Sequence, residues 1–400
     1  MKTVYLDHAA TTPLDEEVLS RMLPYFGERY GNPSSMHGSG RRAARAIGDA
    51  RERVARAIGA SPDEVIFTGS GTESDNLALI GAARAYRSSG KRIVISAIEH
   101  KAVTEAAGAL EREGFEVTVA PVDTRGMIDV AAVAALVRDD TVLVSVMLAN
   151  NEIGTVLPVA ELSEALRERR KKTGFPRIHT DACQAAGHLE LNVAELGVDF
   201  LTLNGSKVYG PKGVGVLYRR RDARLSPLLV GGGQESGARA GTESVPLIVG
   251  VALALEKAER LREREAARLS RLRNFFIAEL RARIPSVIVN GHPTRCLPHI
   301  VHLTVPGIEG ESMVLMLDEA GVEAATGSAC SANDLRPSHV LVATGQSDEN
   351  VHGSVRFSLG RGTTEDELGY VLSVFPPIVQ KLRGASALTT SYYAKEKHLV

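Results

Sequence analysis

The sequence predicts an α/β protein: a large domain on a mainly parallel seven-stranded sheet, followed by a smaller α+β domain. Three observations lead there. The chain has 400 residues, beyond the size at which one hydrophobic core usually stops growing. Between about residues 60 and 218, seven short β-rich runs alternate with stretches of helical apolar spacing. After a long helix-forming stretch, a second and shorter alternation begins near residue 286.

In chain order, Ala44, Ile47, Val54 and Ile58 recur at helical spacing and stop at Gly59. They predict a helix lying on the sheet with its arginines outward. Ser61-Pro62-Asp63-Glu64 opens the next element. The predicted strands are 64–67, 92–95, 117–119, 141–146, 177–180, 200–203 and 215–218, each short and rich in the residues that suit a pleated, buried surface. Residues from about 244 to 284 form helix with a charge-dense centre at 256–265, the pattern of a solvated helix bridging two domains. Strands at 286–289, 299–305 and 354–359, a helix at about 311–321 and a terminal helix from Thr363 complete the second domain. The polar tail from Ala385 to Val400 is expected to be loosely ordered.

Composition narrows the function. Lys and Arg number 47 against 48 Asp and Glu, a net charge of -1, so neither nucleic acid nor an anionic membrane is expected as a direct partner. Three cysteines, Cys183, Cys296 and Cys330, are too few for a disulfide framework and form no Cys-x-x-Cys pair, which points to a reducing, cytoplasmic setting. The N-terminus turns polar within a few residues, unlike a signal peptide, and no apolar run approaches a membrane span.

The chemistry-bearing residues fall just after strands, where ligands of open α/β sheets bind. Lys207, in Asn204-Gly205-Ser206-Lys207-Val208-Tyr209-Gly210, sits in a rigid, backbone-dense turn; a lysine there can form a Schiff base with an aldehyde cofactor. Cys330, in Gly327-Ser328-Ala329-Cys330-Ser331, lies in a loop of small residues, exposed enough to attack a substrate as thiolate. Together they suggest pyridoxal phosphate chemistry aimed at sulfur. Gly69-Ser70-Gly71-Thr72 offers backbone N–H groups and a hydroxyl to a phosphate at a helix start, although a Gly-rich cap of a buried helix reads equally well. Asp181 could hold a pyridine nitrogen protonated, with Gln184 at the ring's phenolic oxygen; a helix N-cap is the alternative for Asp181. His100 could stack on a cofactor ring or be a satisfied core residue, and Asn150-Asn151 could enter the same crevice or simply form a turn. No metal site is expected.

The order and spacing of these motifs resemble the cysteine desulfurases of the NifS/IscS type, in the class V branch of the fold-type I pyridoxal phosphate enzymes. The resemblance spans nearly the whole chain and is carried by Tyr5-Leu6-Asp7-His8-Ala9-Ala10-Thr11-Thr12-Pro13, Gly31-Asn32-Pro33-Ser34-Ser35, Thr72-Glu73-Ser74-Asp75-Asn76, Glu99-His100-Lys101, Asn150-Asn151-Glu152-Ile153-Gly154, Gly231-Gly232-Gly233-Gln234-Glu235, Arg239-Ala240-Gly241-Thr242-Glu243 and Arg356-Phe357-Ser358-Leu359-Gly360-Arg361. It implies the fold-type I architecture, with a large cofactor-binding domain at 15–258 and a small domain of 1–14 and 259–400 that bears the Cys330 loop. It implies that Lys207 binds the cofactor covalently, that His100 stacks on its ring, and that Asp181 and Gln184 hold its nitrogen and oxygen. Gly71 and Thr72, joined by Asn204 and Ser206, would hold the phosphate; Asn151, also near the cofactor, and Arg356 would grip the substrate carboxylate. Thr242 would reach the phosphate of a neighbouring subunit, which implies a homodimer with shared sites.

The implied reaction takes L-cysteine to L-alanine and leaves the sulfur on Cys330 as a persulfide. An acceptor for iron–sulfur cluster assembly or tRNA thiolation would then receive it. The stretch after Cys330 is similar to the longer loop of the NifS/IscS group. Three positions depart from the family: Ser206 stands where His usually precedes the lysine, Cys183 where Thr or another small residue is usual, and the tail after Leu382 does not match the scaffold-docking C-terminus of IscS proteins. Cys183 is expected to pack, and Cys296 has no partner motif. A selenocysteine or cystine lyase of the same fold would not need Cys330, and a catalytically silent platform would not need Lys207.

Overall fold

The computed structural model describes residues 3–327 and 337–385. Twelve strands run in chain order: β1 (Val4–Tyr5), β2 (Val65–Thr68), β3 (Arg92–Ser96), β4 (Glu116–Ala120), β5 (Thr141–Ser145), β6 (Arg177–Asp181), β7 (Phe200–Asn204), β8 (Gly215–Arg219), β9 (Ile288–Val289), β10 (Ile300–Thr304), β11 (Val322–Glu323) and β12 (Ser354–Ser358). The seven strands β2 to β8 form one sheet in the order β2-β8-β7-β6-β5-β3-β4. β3 to β7 run parallel, while β8 is antiparallel to both β7 and β2, so β2 and β7 point the same way. Every residue of β2, β3, β5 and β6 is buried, because helices cover both faces; that is why these runs read as continuous apolar segments without alternation. β4, at the edge, is largely exposed.

Helix Gly38–Ile58 ends where Gly59 takes up φ 66, a left-handed conformation that glycine adopts without a Cβ penalty. Its buried stripe is Ala43, Ala46, Ile47, Ala50, Val54 and Ile58, and Ala44 lies outside it. Arg51 is also not outward as expected: it turns in to the buried carboxylate of Glu235, 2.7 Å away, and stacks over Phe67. Packed against helix Gly38–Ile58 is helix Val245–Arg283, 39 residues long. Its first half buries Val245, Ile248, Val251 and Leu255 in the main core, and its second half buries Leu269, Phe276 and Leu280 in a separate one. The charge-dense middle between them carries ion pairs such as Arg262–Glu259 and Arg268–Glu265, both at 2.9 Å. One helix therefore spans two cores.

The second core sits on the antiparallel sheet β12-β10-β9, backed by helices Gly310–Glu319 and Glu365–Ala385. Phe276, Phe357 and Phe375 meet edge to face at its centre, with successive ring centroids 5.4 Å apart. A two-strand pairing, β1 with β11, was not legible in the sequence, since two residues carry no periodicity. It ties the N-terminus to this core through Val4 and Leu6, and the chain then crosses to the large sheet. There Thr12 donates through its N–H and Oγ1 to the carbonyl of Ser206, at 2.8 and 3.0 Å.

Candidate active site

The carboxyl ends of β2, β3, β5, β6 and β7 all open on one cavity of about 320 Å³, closed from the other side by Arg356 of β12 and by Ala9 and Ala10. Lys207, Asp181, Gln184, His100, Asn151, Asn204, Ser206, Gly71 and Thr72 all line it. Residues from seven segments far apart in sequence thus meet at the switch region of the sheet.

After β7, Asn204 leads into a single turn, Gly205–Lys207. Lys207 is partly buried, and its Nζ donates to the carbonyl of Ala10. Tyr209 holds φ 62, a strained value for a residue with a side chain, and is fixed by its neighbours. Its N–H donates to Thr12 Oγ1 at 2.8 Å, its hydroxyl accepts from Arg361 N–H at 2.6 Å, and the Arg361 guanidinium lies 4.2 Å over its ring. Ser206, in place of the family's usual histidine, reaches Asn204 Oδ1 at 3.4 Å.

At the end of β2, Ser70 Oγ accepts from Glu73 N–H and starts the helix. A Cβ on Gly71 would lie 3.0 Å from Cys183 Sγ and 3.1 Å from Asn204 Nδ2, so the backbone passes these groups closely only as glycine. Thr72 is exposed at the mouth. Asp181 is buried, and its Oδ1 accepts from Cys183 N–H at 2.8 Å. No helix follows it, so the N-cap alternative gives way to an Asx turn facing the cavity. Gln184 donates one amide N–H to Ala9 at 2.8 Å. His100 does cap helix Lys101–Arg112, accepting from Ala102 N–H through Nδ1 at 3.1 Å. The neutral ring therefore carries its proton on Nε2. Of the two asparagines, Asn150 shapes the turn, accepting from Glu152 and Ile153 N–H at 2.9 Å, and Asn151 lines the cavity.

Arg356 is 2% exposed. It donates to the carbonyls of Asn151 and Gly327 at 2.8 and 3.1 Å and pairs with Asp7 at 2.9 Å, while its Nε is buried without a partner among the described residues. That orphaned donor suits a carboxylate.

Behind Asp181 lies a polar layer that the sequence reading missed. Asp75 is 1% exposed, and burial, then the neighbouring Asp181, push its carboxyl well up, which favours the protonated form. His179 Nε2 lies 3.5 Å from Asp75 Oδ1 and 3.1 Å from Thr202 Oγ1, and Nδ1 lies 2.8 Å from Ser145 Oγ. Burial brings the His179 ring down to about 4, so it is neutral. The available signal was spacing: His179 and Asp181 are two apart on one strand and share a face. Asp75, His100 and Asp181 bring ligand atoms within 4.8 Å of one another.

Glu99, also unassigned by the sequence reading, is fully buried and accepts from Ser96 Oγ and Met147 N–H. Burial lifts its carboxyl from 4.5 to about 8. The folded chain keeps a proton that the unfolded chain releases, so this group's stabilising contribution is full below pH 4.5 and falls as pH rises toward 8. In Glu99→Gln the slope of unfolding free energy against pH in that window should become less negative by about 1.4 kcal/mol per pH unit. Denaturant titrations across the window measure it, and an unchanged slope would show Glu99 ionised in the fold.

Cys183 is buried at the cavity wall, and burial pushes its thiol well up, which fits the expected packing role. Thr242 is exposed and lines no part of this cavity. Cys330 lies outside the described residues, as do most of its loop and the polar tail.

The groups present fit pyridoxal 5'-phosphate: an amine for its aldehyde, a buried carboxylate for its ring nitrogen, and N–H and hydroxyl groups at a helix start for its phosphate. Residues 4–371 match the family model for aminotransferase class-V. The chain is 47% identical over 396 residues to the cysteine desulfurase IscS of Dictyoglomus turgidum, covering 99% of each chain. It is 47% identical over 392 residues to that of Methanosarcina thermophila, covering 98% of this chain and 96% of the relative. Among solved structures, a NifS-like protein superposes with a TM-score of 0.89 at 36% identity, over 95% of this chain and 100% of the other. SspA in complex with cysteine superposes with a TM-score of 0.78 at 34% identity, over 89% and 99%.

Proposed function

This chain belongs to the aminotransferase class-V family and is a pyridoxal phosphate-dependent cysteine desulfurase, and we propose that it converts L-cysteine to L-alanine by handing the sulfur to Cys330. The observation that carries this reading is the convergence of Lys207, Asp181, His100, Gly71 and Arg356 on one cavity. The structure of SspA with cysteine, at 34% identity, supports the substrate.

Lys207 would hold the cofactor covalently through Nζ, Asp181 its ring nitrogen and Gln184 its phenolic oxygen, with His100 against the ring. Gly71, Thr72, Asn204 and Ser206 would hold its phosphate. When bound, pyridoxal phosphate supplies an aldehyde that captures the substrate amine and a ring that takes up the electron pair left at the α-carbon. The protein does the rest. Arg356 and Asn151 fix the substrate carboxylate, and Arg356 is held for this by Asp7 and two backbone carbonyls. Burial pushes the Asp75 carboxyl up and the His179 ring down to about 4, so both neighbours behind Asp181 are biased toward their uncharged forms. Lys207 Nζ accepts the α-proton and later returns a proton to the three-carbon fragment. An S–S bond forms at Cys330 as the substrate C–S bond breaks. The carbon fragment keeps that electron pair, takes up a proton and leaves as alanine, so no outside oxidant or reductant is needed.

Two further assignments belong to this reading. A homodimer with shared sites is supported by large exposed apolar side chains, Leu23, Phe26, Tyr30, Met36 and Val230, in the first 36 residues and just before Thr242. Thr242 would complete the phosphate site of the partner subunit at the mouth where Thr72 stands exposed. The persulfide would pass to a protein acceptor for iron–sulfur assembly or tRNA thiolation in the cytoplasm. Among the described residues no helix is long and apolar enough to cross a membrane, and Cys183 and Cys296 are free thiols.

The test is sulfide and alanine release from L-cysteine, with reductant present, by the cofactor-loaded protein and by Cys330→Ala. The parent should form both products in equal amounts, and Cys330→Ala should keep its colour while losing sulfide release by about 10²-fold or more. Equal activity in the variant would remove Cys330 from the reaction and favour a lyase that expels the chalcogen directly.

A further inference from the structure

A second cavity, of about 600 Å³, opens where helix Val245–Arg283, strands β9 and β10, the turn at 344–350 and residues 124–125 of the large sheet's connections come together. It shares no lining residue with the cofactor cavity. Three arginines line it, Arg125, Arg273 and Arg281, and among the described residues no Asp or Glu does.

Arg273 is the telling one. It is 8% exposed, and its acceptors are Leu297 carbonyl at 2.8 Å, Cys296 Sγ at 2.6 Å and Asn274 Oδ1 at 2.9 Å, none of them a carboxylate. Among the described residues it has no ion-pair partner. A buried guanidinium without a counter-charge is costly, and the cost grows with two more cations on the same walls. Arg125 and Arg281, both exposed, likewise form no ion pair among the described residues. Of the acids near them in sequence, Asp123 turns its Oδ1 to the backbone N–H groups of Arg125 and Met127, each at 2.8 Å, without pairing with the Arg125 guanidinium, and Glu279 pairs with Arg283 at 2.7 Å. One wall is apolar, with Ile277, Ile288 and Val289, and Asn350, which also lines the cavity, buries an Oδ1 that has no partner among the described residues.

We propose that this cavity binds a small organic oxyanion of two or more negative charges, a phosphorylated or polycarboxylate metabolite, with Arg273 at the inner end and Arg125 and Arg281 at the rim. Guanidinium forks match phosphate and carboxylate oxygens in pairs, and the apolar wall takes the carbon skeleton. Asn350 is left to accept from a ligand hydroxyl or N–H.

Isothermal titration of the full-length, cofactor-loaded protein with pyrophosphate and with citrate, at fixed ionic strength and with sodium chloride as control, tests this. At least one probe should bind saturably with one site per chain, weakened about tenfold in Arg125→Gln and in Arg281→Gln and nearly lost when both are changed. The visible spectrum should stay unchanged throughout, which keeps the cofactor site out of the reading. Binding of pyrophosphate alone would mark a phosphorylated ligand, and of citrate alone a polycarboxylate. The proposal is overturned if neither probe binds above the chloride control, or if the double variant binds as the parent does. Because Arg125 and Arg281 are exposed, these variants are expected to fold, and the buried Arg273 need not be disturbed.

Discussion

Lys207→Ala should yield a folded protein from which the cofactor is no longer covalently held and in which alanine formation falls by about 10⁴-fold or more. The size of the effect follows from two roles in one atom, since Nζ is both the attachment point and the group positioned to move the α-proton. Mass spectrometry after borohydride reduction reads the first role without any turnover: the parent should carry the cofactor's mass on Lys207 and the variant should not. Lys207→Arg is the companion. It can keep the donation to Ala10 that ties the N-terminal segment to this turn, yet it cannot serve as the amine. If Lys207→Arg melts like the parent and is equally inactive, chemistry and not architecture has been lost. Retained turnover in either variant would remove Lys207 from the assigned role.

The second large effect is at Arg356. Arg356→Gln removes a guanidinium that is 2% exposed and deprives the Asp7 carboxylate of its ion-pair partner. Breaking such a pair costs about 3 kcal/mol of stability, and loss of the carboxylate grip should lower kcat/KM for L-cysteine by about 10²–10³-fold, mostly through KM. The two consequences separate in a double variant. Arg356→Gln with Asp7→Asn should recover most of the stability, because no unpaired charge remains, while KM stays high. Recovery of KM together with stability would mean that Arg356 only braces Asp7.

The Asp7–Arg356 pair also shows why part of this site was hidden in the chain. Both residues lie in motifs that stand out in the sequence, yet nothing local says that the segment after β1 pairs with β12, through a bridge between Asp7 and Ser358, and so sets Asp7 beside Arg356. The same holds for Asp75, whose motif was plain but whose protonation depends on Asp181, about 100 residues away, and on complete burial. Arg51 and Ala44 make the point for packing. Helical spacing located the helix, but Arg51 turned inward because Glu235, far along the chain, was there to receive it.

What the sequence determined by itself was whatever depends on near neighbours. The seven strands of the large sheet declared themselves by short β-branched runs. The residues that follow them, from Gly71 to Lys207, declared themselves because a strand end, a glycine and a polar side chain within a few positions already specify a backbone that can meet a ligand. What only the tertiary structure decided was charge and its compensation. The raised carboxyl of Asp75 and the lowered ring of His179 behind Asp181, the proton on Glu99, and the three guanidiniums without an acid among the described residues around the second cavity are products of burial and of distances between remote segments. A side chain's protonation and its need for a partner are set by the dielectric and the charges around it, and those are assembled only when the chain has folded.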